Sequence, residues 1–304
     1  MDRAVSVNAS RLEADESCPE PRPITLFVRD LPDSWFTRSA LRKRFTADSI
    51  VEFQDPGFLG SKRIRIQLHP VSARSFEPIH IHLRVGCMRA GRRLNLQLHL
   101  KGGENRVRLG DGVSGSWNLF LFGGSRVEIG SGSRAVGLEM YVNYRCVCSV
   151  GEDCMISENV VFQTGDGHTL VDLDKRESIN HRPSSIRIGD HCWLGRNSVV
   201  LASSREICMG SGSILGLGSI LTRTIPSTSL AVGSPARVLR SRVSWHHQQR
   251  LKSQQIEQLC SQFPLTAQPD SSRLSHFPDW QFGPISLILE LILAKCKKIF
   301  RCLC

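Results

Sequence analysis

Two kinds of hydrophobic patterning divide the chain. Between residues 24 and 100, apolar and polar positions alternate in short runs, at 24–28, 64–68, 79–85 and 94–100. A period of two is that of a strand with one buried face, so each run predicts a β-strand. The segment 34–45 predicts a short helix. From about residue 105 the period changes. An aliphatic residue followed by glycine recurs at Leu109-Gly110, Ile129-Gly130, Val150-Gly151, Ile188-Gly189, Leu194-Gly195, Met209-Gly210 and Leu215-Gly216.

Several of these positions fall six residues apart. Val150, Ile156 and Phe162 form one ladder, Ile188, Leu194 and Val200 a second, and Met209, Leu215 and Leu221 a third. A six-residue apolar period with glycine or asparagine at the turns predicts a β-helix of hexapeptide repeats. Each short strand gives one apolar side chain to a narrow core, and the turns take residues that tolerate unusual dihedrals. A β-sandwich of irregular strands does not account for three ladders that share one period.

The repeat is interrupted twice. Residues 169–185 are polar, charged and out of period, which predicts a loop that leaves the coil; long loops on rigid scaffolds often carry function. The step from Val200 to Met209 is nine residues instead of six, which places a three-residue insertion near 202–206. After residue 240 the repeat ends. Residues 243–259 have helical spacing and suit a cap over the open end of the core. The expected organisation is therefore a disordered N-terminus (1–23), an irregular β segment leading into the solenoid (24–104), the repeat domain (105–240) and a helical cap with a basic tail (241–304). The stripe at 285–300 reads as an amphipathic helix, either packed on the protein or lying on an anionic membrane surface.

Composition narrows the reading a little. The net charge of +11, from 39 Lys+Arg against 28 Asp+Glu, favours anionic partners without choosing among them. No zinc-finger spacing, RNP-like strand or basic zipper is present, so no nucleic-acid partner is expected. The eleven cysteines show no framework spacing and read as reduced, mostly buried thiols of a cytoplasmic protein. The N-terminus lacks the apolar core of a signal peptide, and no run is long enough for a spanning helix.

Three segments carry a resemblance. Ser185-Ile-Arg-Ile-Gly-Asp-His-Cys-Trp-Leu-Gly195 resembles the "I-x-I-G-D-x-x-W-I-G" coil of sugar and antibiotic O-acetyltransferases built from hexapeptide repeats. Gly216-Leu-Gly-Ser-Ile-Leu-Thr-Arg-Thr-Ile-Pro226 resembles their "G-A-G-S-V-V-T-K-D-I-P", and Val232-Gly-Ser-Pro-Ala-Arg-Val-Leu-Arg240 their "G-x-P-A-K/R-x-x-R". Gly151-Glu-Asp-Cys-Met155 and Asp166-Gly-His168 are similar to the capsule and lipopolysaccharide branch. The resemblance spans roughly 105–245. It implies an all-β, left-handed parallel β-helix with a protruding loop and C-terminal helices. It also implies a homotrimer with sites between subunits, acetyl-CoA as co-substrate, and a sugar hydroxyl of a surface polysaccharide or its precursor as acceptor.

The resemblance also assigns residues. His168 stands at the family's catalytic histidine, and the chemistry explains the choice: a sugar hydroxyl is a poor nucleophile, and a neutral imidazole can take its proton. Asp166 either orients His168, binds a substrate hydroxyl, or is a turn residue. Asn180 is expected to touch CoA or acceptor. Trp193 either lines the pantetheine tunnel or packs between coils. Arg196, Thr222, Arg237 and Arg240 match positions that approach CoA, where guanidinium pairs with phosphate. Leu217 replaces a small residue near the cofactor. No metal is expected. Two other readings stay open. One is a zinc enzyme like the γ-type carbonic anhydrases, with His168, His181 and His191 as ligands in number but not in spacing. The other is a silent solenoid used for assembly or membrane attachment.

Overall fold

A computed structural model describes residues 23–36, 39–55, 63–70 and 78–263. The chain winds as a left-handed parallel β-helix of three faces. The three ladders explain why. Within one coil, Val150, Ile156 and Phe162 each point inward from a different face, and all are buried. The next coil sets Ile188, Leu194 and Val200 directly beside them, and the one after sets Met209, Leu215 and Leu221. A period of six along the chain thus becomes three continuous apolar columns. Each fully buried aliphatic residue contributes about 1.5–3 kcal/mol.

These columns continue toward the N-terminus, past the boundary expected at 104. Val150 stacks on Ile129, Leu109, Val85 and Phe53. Phe162 stacks on Met140, Leu119, Leu98 and Leu68. The segment 24–104 is therefore not a separate lead-in; most of it is coil. Its strands are longer, such as Ile79–Val85, Leu94–Lys101, Gly103–Leu109 and Ser114–Phe122. Leu94–Lys101 buries Leu94, Leu96, Leu98 and Leu100. A face that buries several residues shows the period of two and hides the period of six.

Both ends close by a change of direction. Ile24–Phe27 pairs antiparallel with Ile50–Phe53, and Ala236–Ser241 folds back antiparallel on Ser229–Gly233. Solenoid ends need such protection from further strand pairing. The expected helix at 34–45 is two 3-10 turns, Asp33–Trp35 and Ser39–Arg44. Phe36 and Phe45 break it by bridging to Leu68 and Ile79 of the coil. The expected helix at 243–259 is shorter and later, Ser253–Gln262. Its forepart is drawn onto the coil instead: the Trp245 indole donates to the His191 carbonyl at 2.8 Å, and the Trp245 ring stacks on the His191 imidazole.

The loop 169–185 leaves the coil as expected and carries a small hairpin, Val171–Asp172 with Glu177–Ser178. The nine-residue step from Val200 to Met209 is no insertion: residues 203–205 form the corner between Val199–Ala202 and Glu206–Met209, as 123–125 do between Ser114–Phe122 and Arg126–Ile129 and 143–146 between Arg134–Val142 and Val147–Val150. Cys146, Cys148, Cys154 and Cys192 are buried. Among the described residues no helix is long and apolar enough to cross a membrane. Residues 1–22 and the stripe at 285–300 lie outside the described residues.

Candidate active site

His168 stands at the corner where the third face gives way to the loop. Thr164 is the last inward residue of Val160–Thr164, set between Val142 and Ala202 of the neighbouring coils. Its hydroxyl accepts the Asn143 N–H at 2.9 Å and donates to the Tyr141 carbonyl at 3.3 Å. The next amide, Gly165, still bonds the coil through Ala202 O at 2.5 Å. The chain then departs. Gly165 and Gly167 take φ of +96° and +73° on either side of Asp166, a region that glycine enters freely. His168 does not fill the inward slot that counting by six would give it; it is exposed.

A cleft of about 440 Å³ opens beside it. Lys101, Phe122 and Tyr144, from three successive coils, line the cleft together with Asp166, His168 and Arg182. The Lys101 ammonium lies 5.3 Å from the Phe122 ring centroid, and the Phe122 and Tyr144 rings are 6.3 Å apart. Asp166 is the one carboxylate that lines this cleft, against Lys101 and Arg182. That carboxylate is already engaged. Its Oδ2 accepts the Ser203 hydroxyl at 2.6 Å and an Asn180 amide proton at 2.9 Å. Asn180 also donates to the His168 carbonyl at 2.7 Å and accepts the Leu170 N–H at 2.8 Å. His181 Nδ1 donates to the Ser178 carbonyl at 3.0 Å.

The remaining expected residues lie elsewhere on the coil. Trp193 is on the second face, with its indole N–H 3.4 Å from the Ser157 hydroxyl and its ring tilted against Trp245. Arg196 and Leu217 share the corner between the second and third faces, where Gly218 N–H bonds Arg196 O at 2.9 Å. Arg196 pairs with Glu158 at 3.3 Å, and the Leu217 side chain is 74% exposed. Thr222 follows Ile220–Leu221 on the third face. Arg237 and Arg240 are exposed on the terminal hairpin. Within one chain, then, His168, Asp166 and Asn180 are brought together, while Trp193, Arg196, Leu217, Arg237 and Arg240 stand apart from them.

The histidines of the zinc reading do not converge. His191 is at the corner after the first face, paired with Asp153 at 2.9 Å. Among the described residues no group of three or more His, Cys, Asp or Glu side chains is placed to hold a metal ion.

Sequence reasoning did not single out Lys101, Phe122, Tyr144 or Ser203 as site residues. A signal for the first two existed. Leu94–Lys101 and Ser114–Phe122 align end to end in register, which pairs Lys101 with Phe122. Recognising it required extending the coil upstream of residue 105.

No family model matches the sequence. Relatives do. The chain is 30% identical over 141 residues to a polysialic acid O-acetyltransferase of Escherichia coli O1:K1 / APEC, covering 46% of this chain and 44% of that protein. It is 30% identical over 125 residues to a galactoside O-acetyltransferase of Lactococcus lactis, covering 39% and 55%. The chain thus spans about half the length of the curated relatives it matches. Among solved structures it is similar to a polySia-specific acetyltransferase, with a TM-score of 0.51 and 26% identity, over 66% of this chain and 85% of the other. Through its coil, this chain is a relative of the hexapeptide-repeat O-acetyltransferases.

Proposed function

We propose that the chain is an acetyl-CoA-dependent O-acetyltransferase that acts on a sugar hydroxyl, with His168 as general base. The observation that carries the reading is the exposed imidazole of His168 on the rim of the cleft. The neutral ring takes the proton of the acceptor hydroxyl as its oxygen attacks the thioester carbonyl. The tetrahedral intermediate then expels the thiolate of CoA, which recovers that proton from the imidazolium. Such a base is worth about 10²–10⁴-fold in rate. Lys101 and Arg182 favour an acidic sugar, in keeping with the polysialic acid named for one relative. A surface polysaccharide or its precursor fits this description.

Trp193, Arg196, Leu217, Thr222, Arg237 and Arg240 are assigned to acetyl-CoA. Most of them stand away from the His168 corner, which supports a homotrimer in which one copy's cofactor strip faces the neighbour's histidine. The basic tail is assigned to peripheral contact with an anionic membrane from the cytoplasmic side, where acetyl-CoA is supplied.

The experiment is release of free CoA from acetyl-CoA by purified protein, offered nucleotide sugars, sialic acid oligomers and neutral oligosaccharides. His168→Ala is expected to lower the rate by about 10²–10⁴-fold at unchanged melting temperature. Full activity in that variant overturns the assignment of His168, and no CoA release by the wild type with any acceptor leaves the silent solenoid.

A further inference from the structure

We propose that Asn180 and Ser203 are positioning residues, a two-part clasp that holds His168 where its imidazole can act; the proposal rests on the reading of His168 as base. Nothing grips the ring itself: among the described residues the His168 side chain makes no hydrogen bond or ion pair, and it is exposed. Its place is therefore set by its backbone. That backbone is intrinsically loose, because Gly165 and Gly167 flank Asp166 and glycine has the widest dihedral freedom.

The clasp supplies what the glycines lack. Asn180, on the returning limb of the loop, spends both amide protons on the departing limb, one on Asp166 Oδ2 and one on the His168 carbonyl. Its oxygen takes the Leu170 N–H. These partners fix the orientation of the amide, since its oxygen faces a donor and its nitrogen faces two acceptors. His168 thus lies between two pinned points, Asp166 and Leu170. The second part ties this unit to the coil. Ser203 belongs to the coil corner at residues 203–205, and its hydroxyl donates to the same Asp166 oxygen at 2.6 Å. An ionised carboxylate only accepts, so one oxygen receives Ser203 from the scaffold and Asn180 from the loop.

The coil corner at residues 203–205 is accordingly a bracket for the catalytic loop. Asn180, which the sequence suggested as a cofactor contact, has both amide protons committed to the protein itself.

The test compares Asn180→Ala, Ser203→Ala and Ser203→Thr with wild type and His168→Ala. The reaction is CoA release with whichever of the offered acceptors the wild type uses. Displacing a catalytic group by about 1 Å can cost ~10²-fold in rate, so Asn180→Ala is expected to lose about that in kcat. Ser203→Ala removes one charge-assisted hydrogen bond and is expected to lose about tenfold. Ser203→Thr keeps the hydroxyl and restores kcat. KM for acetyl-CoA stays unchanged in all three, and tryptic cleavage after Arg176 is faster in the two alanine variants. Unchanged kcat in both alanine variants, with His168→Ala inactive, overturns the clasp. So does a raised KM for acetyl-CoA at intact kcat, which marks Asn180 as a cofactor contact. Should Asn180→Ala fail to fold, the Ser203 pair decides alone: equal losses in alanine and threonine overturn the proposal. An active His168→Ala instead overturns the reading of the base.

Discussion

The His191 imidazole lies flat against the Trp245 indole, with ring centroids 4.4 Å apart and planes 8° from parallel. The contact is reciprocal. The Trp245 indole N–H donates to the His191 carbonyl at 2.8 Å, and His191 Nε2 lies 2.9 Å from the Trp245 carbonyl. His191 Nδ1 meets the Asp153 carboxylate at 2.9 Å. His191 reaches outward because it occupies a corner position with φ of +51°. One ring stack with two hydrogen bonds thus fastens the segment after the repeat to the side of the coil.

That fastening predicts the effect of Trp245→Ala. Trp245 is 5% exposed, and truncating a buried tryptophan costs about 3–5 kcal/mol. Urea denaturation should show the loss, and trypsin should cut after Arg250 in the variant far faster than in wild type. Unchanged stability would mean that the segment docks by other contacts.

How much of this was readable beforehand depends on the residue. Val150, Ile156 and Phe162 were legible as one coil, because a short strand with one inward residue leaves a period of six. Leu94 to Leu100 were legible as a strand but not as coil, because four buried residues on one face leave only alternation. His168 stood out as a candidate through Asp166-Gly-His168, a local motif. The partners of Asp166 were not, since Ser203 and Asn180 arrive from 37 and 14 residues away. Trp245 was read as part of a helix, because a pattern of apolar spacing cannot tell a helix from a strand of chain pressed flat on a coil.

A second prediction concerns pH. His69 and His99 stack on the outer side of the third face, with centroids 4.4 Å apart, and the column continues through Phe120 and Tyr141. Burial holds both imidazoles below the usual histidine range, and the charge of His99 lowers His69 further. The unfolded chain therefore takes up these protons at a higher pH than the folded one. Stability from this pair is complete above the unfolded value of about 6.5 and declines as pH falls through it toward the lowered folded values. The melting temperature should drop on going from pH 7.5 to 5.5. His99→Phe keeps the stack on Phe120 and removes one titrating group, so its drop should be smaller. An equal drop in both proteins would place the sensitivity elsewhere.

The last prediction concerns the cleft beside His168 and rests on the proposed sugar acceptor. Lys101 projects from a coil well before the one that carries His168, yet both line the same cleft. Ser203 and Asn180 are neutral donors and leave the charge of Asp166 in place, so Lys101 and Arg182 outweigh it by one positive charge in the lining. An exposed ion pair is worth about 0.2–1 kcal/mol and weakens with salt. Lys101→Ala should therefore raise KM for a sialic acid oligomer by a small factor, at most about fivefold on that scale, and leave kcat intact. The difference from wild type should shrink as salt is added, and KM for a neutral oligosaccharide should not move. Lys101→Glu should widen the gap for the acidic acceptor alone. An equal rise for neutral and acidic acceptors would assign Lys101 to packing over Phe122 rather than to charge, and the acidic sugar would then have no support from the cleft.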